Sequence, residues 1–180
     1  GTGPLASRTI QVFDIPEKPN LIQGDTLVCL GLSAYTVEGR PEESYSWSIS
    51  GGGILNALDN SATINWTNTG FHEIYIQGSN LCGSGPIDTI VVEVREIPQQ
   101  PAAIAGDANV CLDTRLYSVN AVNNVIYNWS LNGNGTLNAG DSSSASVNWI
   151  NTGLAVISVS ATNLCGTGPS QSKSITISDI

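Results

Sequence analysis

The sequence predicts an all-β protein made of tandem two-sheet sandwich domains. Three observations carry that reading: a repeat that runs along nearly the whole chain, hydrophobic alternation of period two inside each copy, and turn-forming residues at the breaks. Composition agrees, with 19 Gly, 8 Pro and no Met in 180 residues, and with Ser, Thr, Asn and Val used in place of strong helix formers.

The copies are read by aligning the chain with itself. Ile15 to Cys29, IPEKPNLIQGDTLVC, matches Ile97 to Cys111, IPQQPAAIAGDANVC, at an offset of about 82 residues. The same offset pairs Tyr35 with Tyr117, Tyr45 with Tyr127 and Trp47 with Trp129. After a one-residue insertion, Trp66 pairs with Trp149, Asn68-Thr69-Gly70 with Asn151-Thr152-Gly153, and NLCGSGP from Asn80 with NLCGTGP from Asn163. An incomplete third copy stands first: GTGPLASRTIQVFDIP, Gly1 to Pro16, aligns with GSGPIDTIVVEVREIP, Gly83 to Pro98. The expected organisation is therefore 1–15, the last strand of a preceding repeat, then one domain over 16–97 and another over 98–180. The chain is expected to be a window on a longer array.

Taken in order, each element has its own signal. The joints Pro16-Glu17-Lys18-Pro19 and Pro98-Gln99-Gln100-Pro101 are stiffened by fixed proline φ angles. Ser33–Val37 reads as a strand. Tyr45, Trp47 and Ile49 share one face while Ser46 and Ser48 take the other. Ile64 with Trp66, then Ile74 with Ile76, continue the alternation, and Ile90 to Val94 closes the domain. Gly51-Gly52-Gly53, Asn68-Thr69-Gly70 and Gly83-Ser84-Gly85-Pro86 supply turns. About seven short strands in roughly 80 residues is the pattern of a two-sheet sandwich. By the same parity the tryptophans are core residues, whereas Tyr75 opposes Ile74 and Ile76 and is expected outside.

Val28-Cys29-x-Gly31, Tyr45-x-Trp47 and Asn80-x-Cys82-Gly83 together resemble the PKD-like, immunoglobulin-like repeats of large bacterial surface proteins, especially the gliding adhesins and type IX-secreted proteins of Bacteroidetes. The resemblance covers essentially the whole chain and implies an immunoglobulin-like fold at a bacterial cell surface. It departs from the standard W-x-F-G-D-G stretch, since this chain has Trp47-Ser48-Ile49-Ser50-Gly51-Gly52 and Trp129-Ser130-Leu131-Asn132-Gly133. The same resemblance implies O-glycosylation at Asp-Ser/Thr-apolar triplets, which Asp25-Thr26-Leu27 and Asp88-Thr89-Ile90 fit, making Thr26 and Thr89 the candidates. Asn65, Asn128 and Asn134 open N-glycan sequons that are expected to be silent in a bacterium.

Four cysteines, two per copy at matched positions, imply disulfides and an oxidising compartment. Two wirings are open. One closes each domain on itself, Cys29–Cys82 and Cys111–Cys165. The other joins the domains through Cys29–Cys165 and leaves Cys82 and Cys111 for the preceding and following repeats. Strand order favours the second. In a seven-strand Greek key Cys29 falls at the C-terminal end of its domain, and Cys82, in the last hairpin, at the N-terminal end. One strand of seven residues already spans about 23 Å, and a disulfide needs Cα atoms within roughly 7 Å.

Enzyme chemistry finds no footing. His72 is the only histidine and Ala155 stands at its place in the second copy, so a Ser-His-Asp set is not expected. Asp25 and Asp107 recur in Gly-Asp turns, where a carboxylate caps its own backbone. No D-x-D-x-D-G calcium loop or Cys-x-x-Cys pair occurs. Lys18 and Lys173 stand at unrelated repeat positions, against a repeating isopeptide bond. The net charge of −9 disfavours nucleic acid and anionic lipid as partners. The expectation is a non-enzymatic stalk or spacer, without a cofactor, in an extracellular adhesin or filament. Its partners would be neighbouring repeats, with surface glycans as a further candidate. The alternative is a carbohydrate-binding accessory module of a secreted polysaccharide-degrading enzyme.

Overall fold

The computed structural model describes every residue except 1, 2, 4, 5, 11 and 180. All its described regular elements are strands, and the chain divides into two compact units, Gly1–Arg95 and Glu96–Ile180.

Unit 1 contains β1 (Leu27–Cys29), β2 (Gly31–Thr36), β3 (Ser44–Ile49), β4 (Gly53–Leu58), β5 (Ser61–Trp66), β6 (Gly70–Asn80) and β7 (Gly83–Arg95). One sheet runs β1-β7-β6-β3 and the other β2-β5-β4. Short β1 lies parallel to the end of β7, and the other pairings are antiparallel. The alternation explains the layers. Tyr45, Trp47, Ile74, Ile76, Val92 and Val94 face inward from the first sheet, and Tyr35, Ala62, Ile64 and Trp66 from the second, forming one core. Each buried Ile or Val side chain among them contributes about 1.5–3 kcal/mol.

Residues 3, 6–10 and 12–15 form no strand. The rest of the 1–15 stretch, which the repeat aligns with β7, lies outside the described residues.

Unit 2 repeats the plan with β8 (Asn109–Cys111), β9 (Thr114–Ser118), β10 (Ile126–Asn132), β11 (Gly135–Ala139), β12 (Ser144–Trp149), β13 (Gly153–Asn163), β14 (Gly166–Thr167) and β15 (Gln171–Ser178). Its sheets run β10-β13-β15-β8, with β14 on β13, and β11-β12-β9. The equivalent of β7 is thus divided into β14 and β15. Tyr117, Tyr127, Val147, Trp149, Ile157, Val159, Ile175 and Ile177 build its core.

Matched tyrosines do matched work. The Tyr45 hydroxyl accepts from the Arg40 N–H at 3.1 Å and donates to the Glu43 carboxylate at 3.0 Å, with the Glu38 carbonyl at 3.5 Å. The Tyr127 hydroxyl accepts from Val122 at 2.9 Å and donates to Asn120 at 3.1 Å. Each ring therefore fastens the long loop ahead of its own strand. Trp47, Trp66 and Trp149 are buried as parity requires, while Trp129 is half-buried against its core. Tyr75 is half-buried on the outer face, where its hydroxyl donates to the Glu73 carboxylate.

Candidate functional site

The residues that set these units apart from a plain sandwich lie at the two ends of the longest sheet. At one end is the β6–β7 hairpin. Asn80 pairs with Gly83, leaving Leu81 and Cys82 as the two-residue loop, and Gly83 takes φ 140°, which disfavours a side chain. The Asn80 side chain does two jobs. Its Oδ1 accepts the Cys82 N–H at 2.8 Å, and its Nδ2 donates to the Asp14 carbonyl at 2.7 Å. One amide thus holds the cysteine and grips the chain segment entering the unit.

Gly85 completes the grip. A Cβ there would run into the Pro16 carbonyl, so only glycine lets the entering backbone lie this close. Gln77 Nε2 donates to the Gly85 carbonyl at 2.8 Å. Pro16 and Pro19 are buried, and Lys18 Nζ sits 2.7 Å from Oδ1 of buried Asp88.

Unit 2 has the same device. Asn163 Oδ1 accepts the Cys165 N–H at 2.8 Å and its Nδ2 donates to the Glu96 carbonyl at 2.8 Å. Gly166 takes φ 136°, and a Cβ on Gly168 would strike the Pro98 carbonyl. Gln100, at the place of Lys18, donates to the Ser170 carbonyl at 2.8 Å. The Asn-Leu-Cys-Gly-x-Gly-Pro motif is therefore a clamp on the N-terminal segment of each unit.

The clamp makes a prediction. Gly85→Val and Gly168→Val force the hairpin off the entering segment and cost about 1–3 kcal/mol by overpacking against backbone, read from urea unfolding. Gly140→Ala, where an added Cβ meets nothing within 4 Å, stays within about 0.5 kcal/mol of the parent.

At the other end of the sheet, Cys29 is in register with Arg95, the last residue of β7, and Leu30 N–H donates to the Arg95 carbonyl at 3.0 Å. Cys111 is in register with Ser178, the last residue of β15. Cys82 immediately precedes β7, whose 13 residues reach about 40 Å at the usual rise per residue. Cys29 and Cys82 thus occupy opposite ends of unit 1, as Cys111 and Cys165 do in unit 2, and a bond within either unit has no geometry in which to form. Cys29 and Cys165 are disulfide-bonded. Cys82 and Cys111 are free thiols, Cys82 exposed and Cys111 half-buried.

The remaining candidates have structural employment. The His72 ring stacks on Trp66 with centroids 5.4 Å apart, and its Nε2 lies 3.1 Å from the Asn68 carbonyl. Asp25 offers its backbone carbonyl to the Tyr35 hydroxyl at 3.2 Å. Lys173 Nζ donates to the Ile104 and Gly106 carbonyls. Burial pushes the Tyr35 and Tyr117 phenols above the ordinary tyrosine value. Thr26 and Thr89 are both exposed, and the Thr89 N–H donates to Asp88 Oδ1 at 2.8 Å. Asn134 spends its side-chain amide on the Leu154 carbonyl at 3.0 Å. Among the described residues no three His, Cys, Asp or Glu side chains are grouped to hold a metal ion, and no helix is long and apolar enough to cross a membrane.

A family model described as "PKD-like domain" matches the chain twice, over residues 15–92 and 97–177. Among solved structures, the I-band fragment I67-I69 from titin superposes with a TM-score of 0.52 at 16% identity, covering 89% of this chain and 66% of that one. Titin domains A168-A170 give 0.52 at 15% identity, covering 85% and 62%. One chain of the crystal structure of a mouse coronavirus receptor-binding domain complexed with its murine receptor gives 0.51 at 14% identity, covering 89% and 99%. The chain spans less than two thirds of the length of either titin fragment. Identities this low speak for the fold alone. No curated protein matches the chain.

Proposed function

Since the chain belongs to the PKD-like domain family, we propose that it is a non-enzymatic structural repeat, a stalk or spacer in a large secreted cell-surface adhesin or extracellular filament. The observation that carries the reading is the cysteine state. Cys29 and Cys165, one in each unit, are disulfide-bonded, while their repeat equivalents Cys111 and Cys82 are free. In this reading the two are bonded to each other, and Cys29–Cys165 is a covalent staple from one repeat to the next. Such a bond persists in an oxidising compartment. The compartment in this reading is the outer surface of a Gram-negative bacterium, where the PKD-like repeats of Bacteroidetes adhesins are found.

Residues 1–15 support the array. Ile10 and Val12 align with Val92 and Val94, which are 0% and 1% exposed, and with Ile175 and Ile177, at 0% and 3%. Ile10 and Val12 themselves are 77% and 86% exposed. Side chains patterned for a core but left in solvent belong to a strand whose sheet is elsewhere, and that sheet is the preceding repeat. The tryptophans do not offer a platform for a sugar ring. Three tryptophans are buried, and half-buried Trp129 donates its Nε1 proton to the Ser142 carbonyl at 3.0 Å.

Peptide mapping under denaturing, non-reducing conditions tests the staple. The expected result is one linked pair, Cys29 with Cys165, and free thiols at Cys82 and Cys111. Linked Cys29–Cys82 and Cys111–Cys165 peptides would overturn the reading and return each unit to a self-contained domain.

A further inference from the structure

The two free thiols are the two halves of the bond already proposed. Cys82 holds in unit 1 the place that Cys165 holds in unit 2. Both follow an asparagine whose Oδ1 accepts the cysteine N–H at 2.8 Å, both precede a glycine of positive φ, and both sit in a hairpin clamped to the entering segment. Cys111 holds the place of Cys29, since each ends a three-residue strand lying parallel to the end of the last long strand of its unit. The equivalent residues are bonded and these two are not. Cys82 is exposed, with only its S–H directed to the Phe13 carbonyl at 3.4 Å.

We propose that Cys82 and Cys111 are complementary linkage sites for further copies of the same unit, Cys82 taking the cysteine that ends a β1-type strand and Cys111 taking a hairpin cysteine. The linkage is heterologous, head to tail, so it propagates instead of closing on itself. It rests on the Cys29–Cys165 reading, of which it is the repetition. Two thiols must lose two electrons and two protons, and a small-molecule disulfide such as oxidised glutathione receives them. The Cys82 thiolate attacks one glutathione sulfur, and the other glutathione leaves as a thiolate that takes up a proton. The Cys111 thiolate then attacks the Cys82 sulfur of this mixed disulfide, displacing the second glutathione. One S–S bond is consumed, one is formed, and two glutathione thiols result.

A second copy of this chain supplies both partner cysteines, so the chain is its own probe. Equal amounts of purified Cys82→Ser, which keeps Cys111, and Cys111→Ser, which keeps Cys82, are incubated together in a buffer of oxidised and reduced glutathione. Non-reducing electrophoresis with isotope-labelled copies then separates mixed from like dimers. The expected result is a mixed Cys82–Cys111 dimer at least about tenfold more abundant than either like dimer, because matched cradles select the partner as a sterically defined thiol pair does. Mixed and like dimers in random proportion, or no dimer, would overturn the proposal. Mapping Cys29 and Cys165 in the same samples keeps the two readings apart. If that pair is intact while selective dimers are absent, the linkage sites fail and the staple stands. If that pair is absent, the staple itself has failed.

Discussion

Trp149→Ala lowers the stability of unit 2 by about 3–5 kcal/mol, and Trp66→Ala does the same to unit 1. Both indoles close the ends of their strands with 2% and 1% exposure. Each stands in register opposite a glycine, Gly135 for Trp149 and Gly53 for Trp66, and the ring covers the space where a glycine Cβ would be. Trp149 further packs edge-on against Tyr117, with centroids 6.2 Å apart and planes at 86°, and Trp66 carries the stacked His72 ring. Removing the indole deletes the largest buried side chain of a unit of about 85 residues, a size at which burial leaves little stability in reserve. Urea unfolding followed by circular dichroism checks this. The transition of the substituted unit moves to much lower denaturant, and the other unit, whose core is separate, keeps its midpoint. Equal shifts of both transitions would mean that the two cores are not independent. His72→Ala gives the scale of the lesser contact, since Ala155 already occupies its place in unit 2 and costs that unit no core residue.

Much of this fold is legible because a repeat shows which features are required. Tyr35, Tyr45, Trp66 and Ile76 recur as Tyr117, Tyr127, Trp149 and Val159, and all eight are buried. Period-two parity places them without any knowledge of the sheets. Parity sets the face a side chain takes but not how deeply it is covered. Trp129 has the phase of Trp47, yet it is only half-buried beside a loop of small residues from Asp141 to Ser143. Tyr75 has outward parity and is still half-covered, because its hydroxyl is drawn back to Glu73.

The clamp is the part that sequence alone leaves unread. Asn80 and Gly85 are visible as repeated letters, but what they hold, Asp14 and Pro16, is some seventy residues distant along the chain. A side-chain amide that bridges a local turn and a remote carbonyl has no local pattern beyond its asparagine. The split of the β7 equivalent into β14 and β15 is equally hidden, since Gly83-Ser84-Gly85-Pro86 and Gly166-Thr167-Gly168-Pro169 differ by a single conservative change.

The second large effect concerns the staple. Cys165→Ser lowers the stability of the oxidised protein by about 2–5 kcal/mol, Cys29→Ser lowers it equally, and the double substitution lowers it no further. The magnitude follows from what the bond encloses. A loop of 100 residues is worth about 4.7 kcal/mol in the chain-entropy account, and the Cys29–Cys165 segment is longer. The loop is also partly closed by folded structure, since either unit, while native, already restricts much of it, so the effect falls below the full entropic figure. Equality of the singles and the double is the decisive feature, because two residues that act only through one shared bond cannot contribute twice. Cys82→Ser and Cys111→Ser, which break no bond within the chain, stay within about 0.5 kcal/mol of the parent. Dithiothreitol lowers the parent to the level of the double variant and leaves the double variant where it was. Were the Cys29 and Cys165 effects to add, each sulfur would be acting through its own packing or its own partner, and unit-to-unit stapling would lose its support. Were they to coincide, the stability of one repeat would be tied covalently to the next, which is the property a load-carrying array requires and a self-contained binding domain does not.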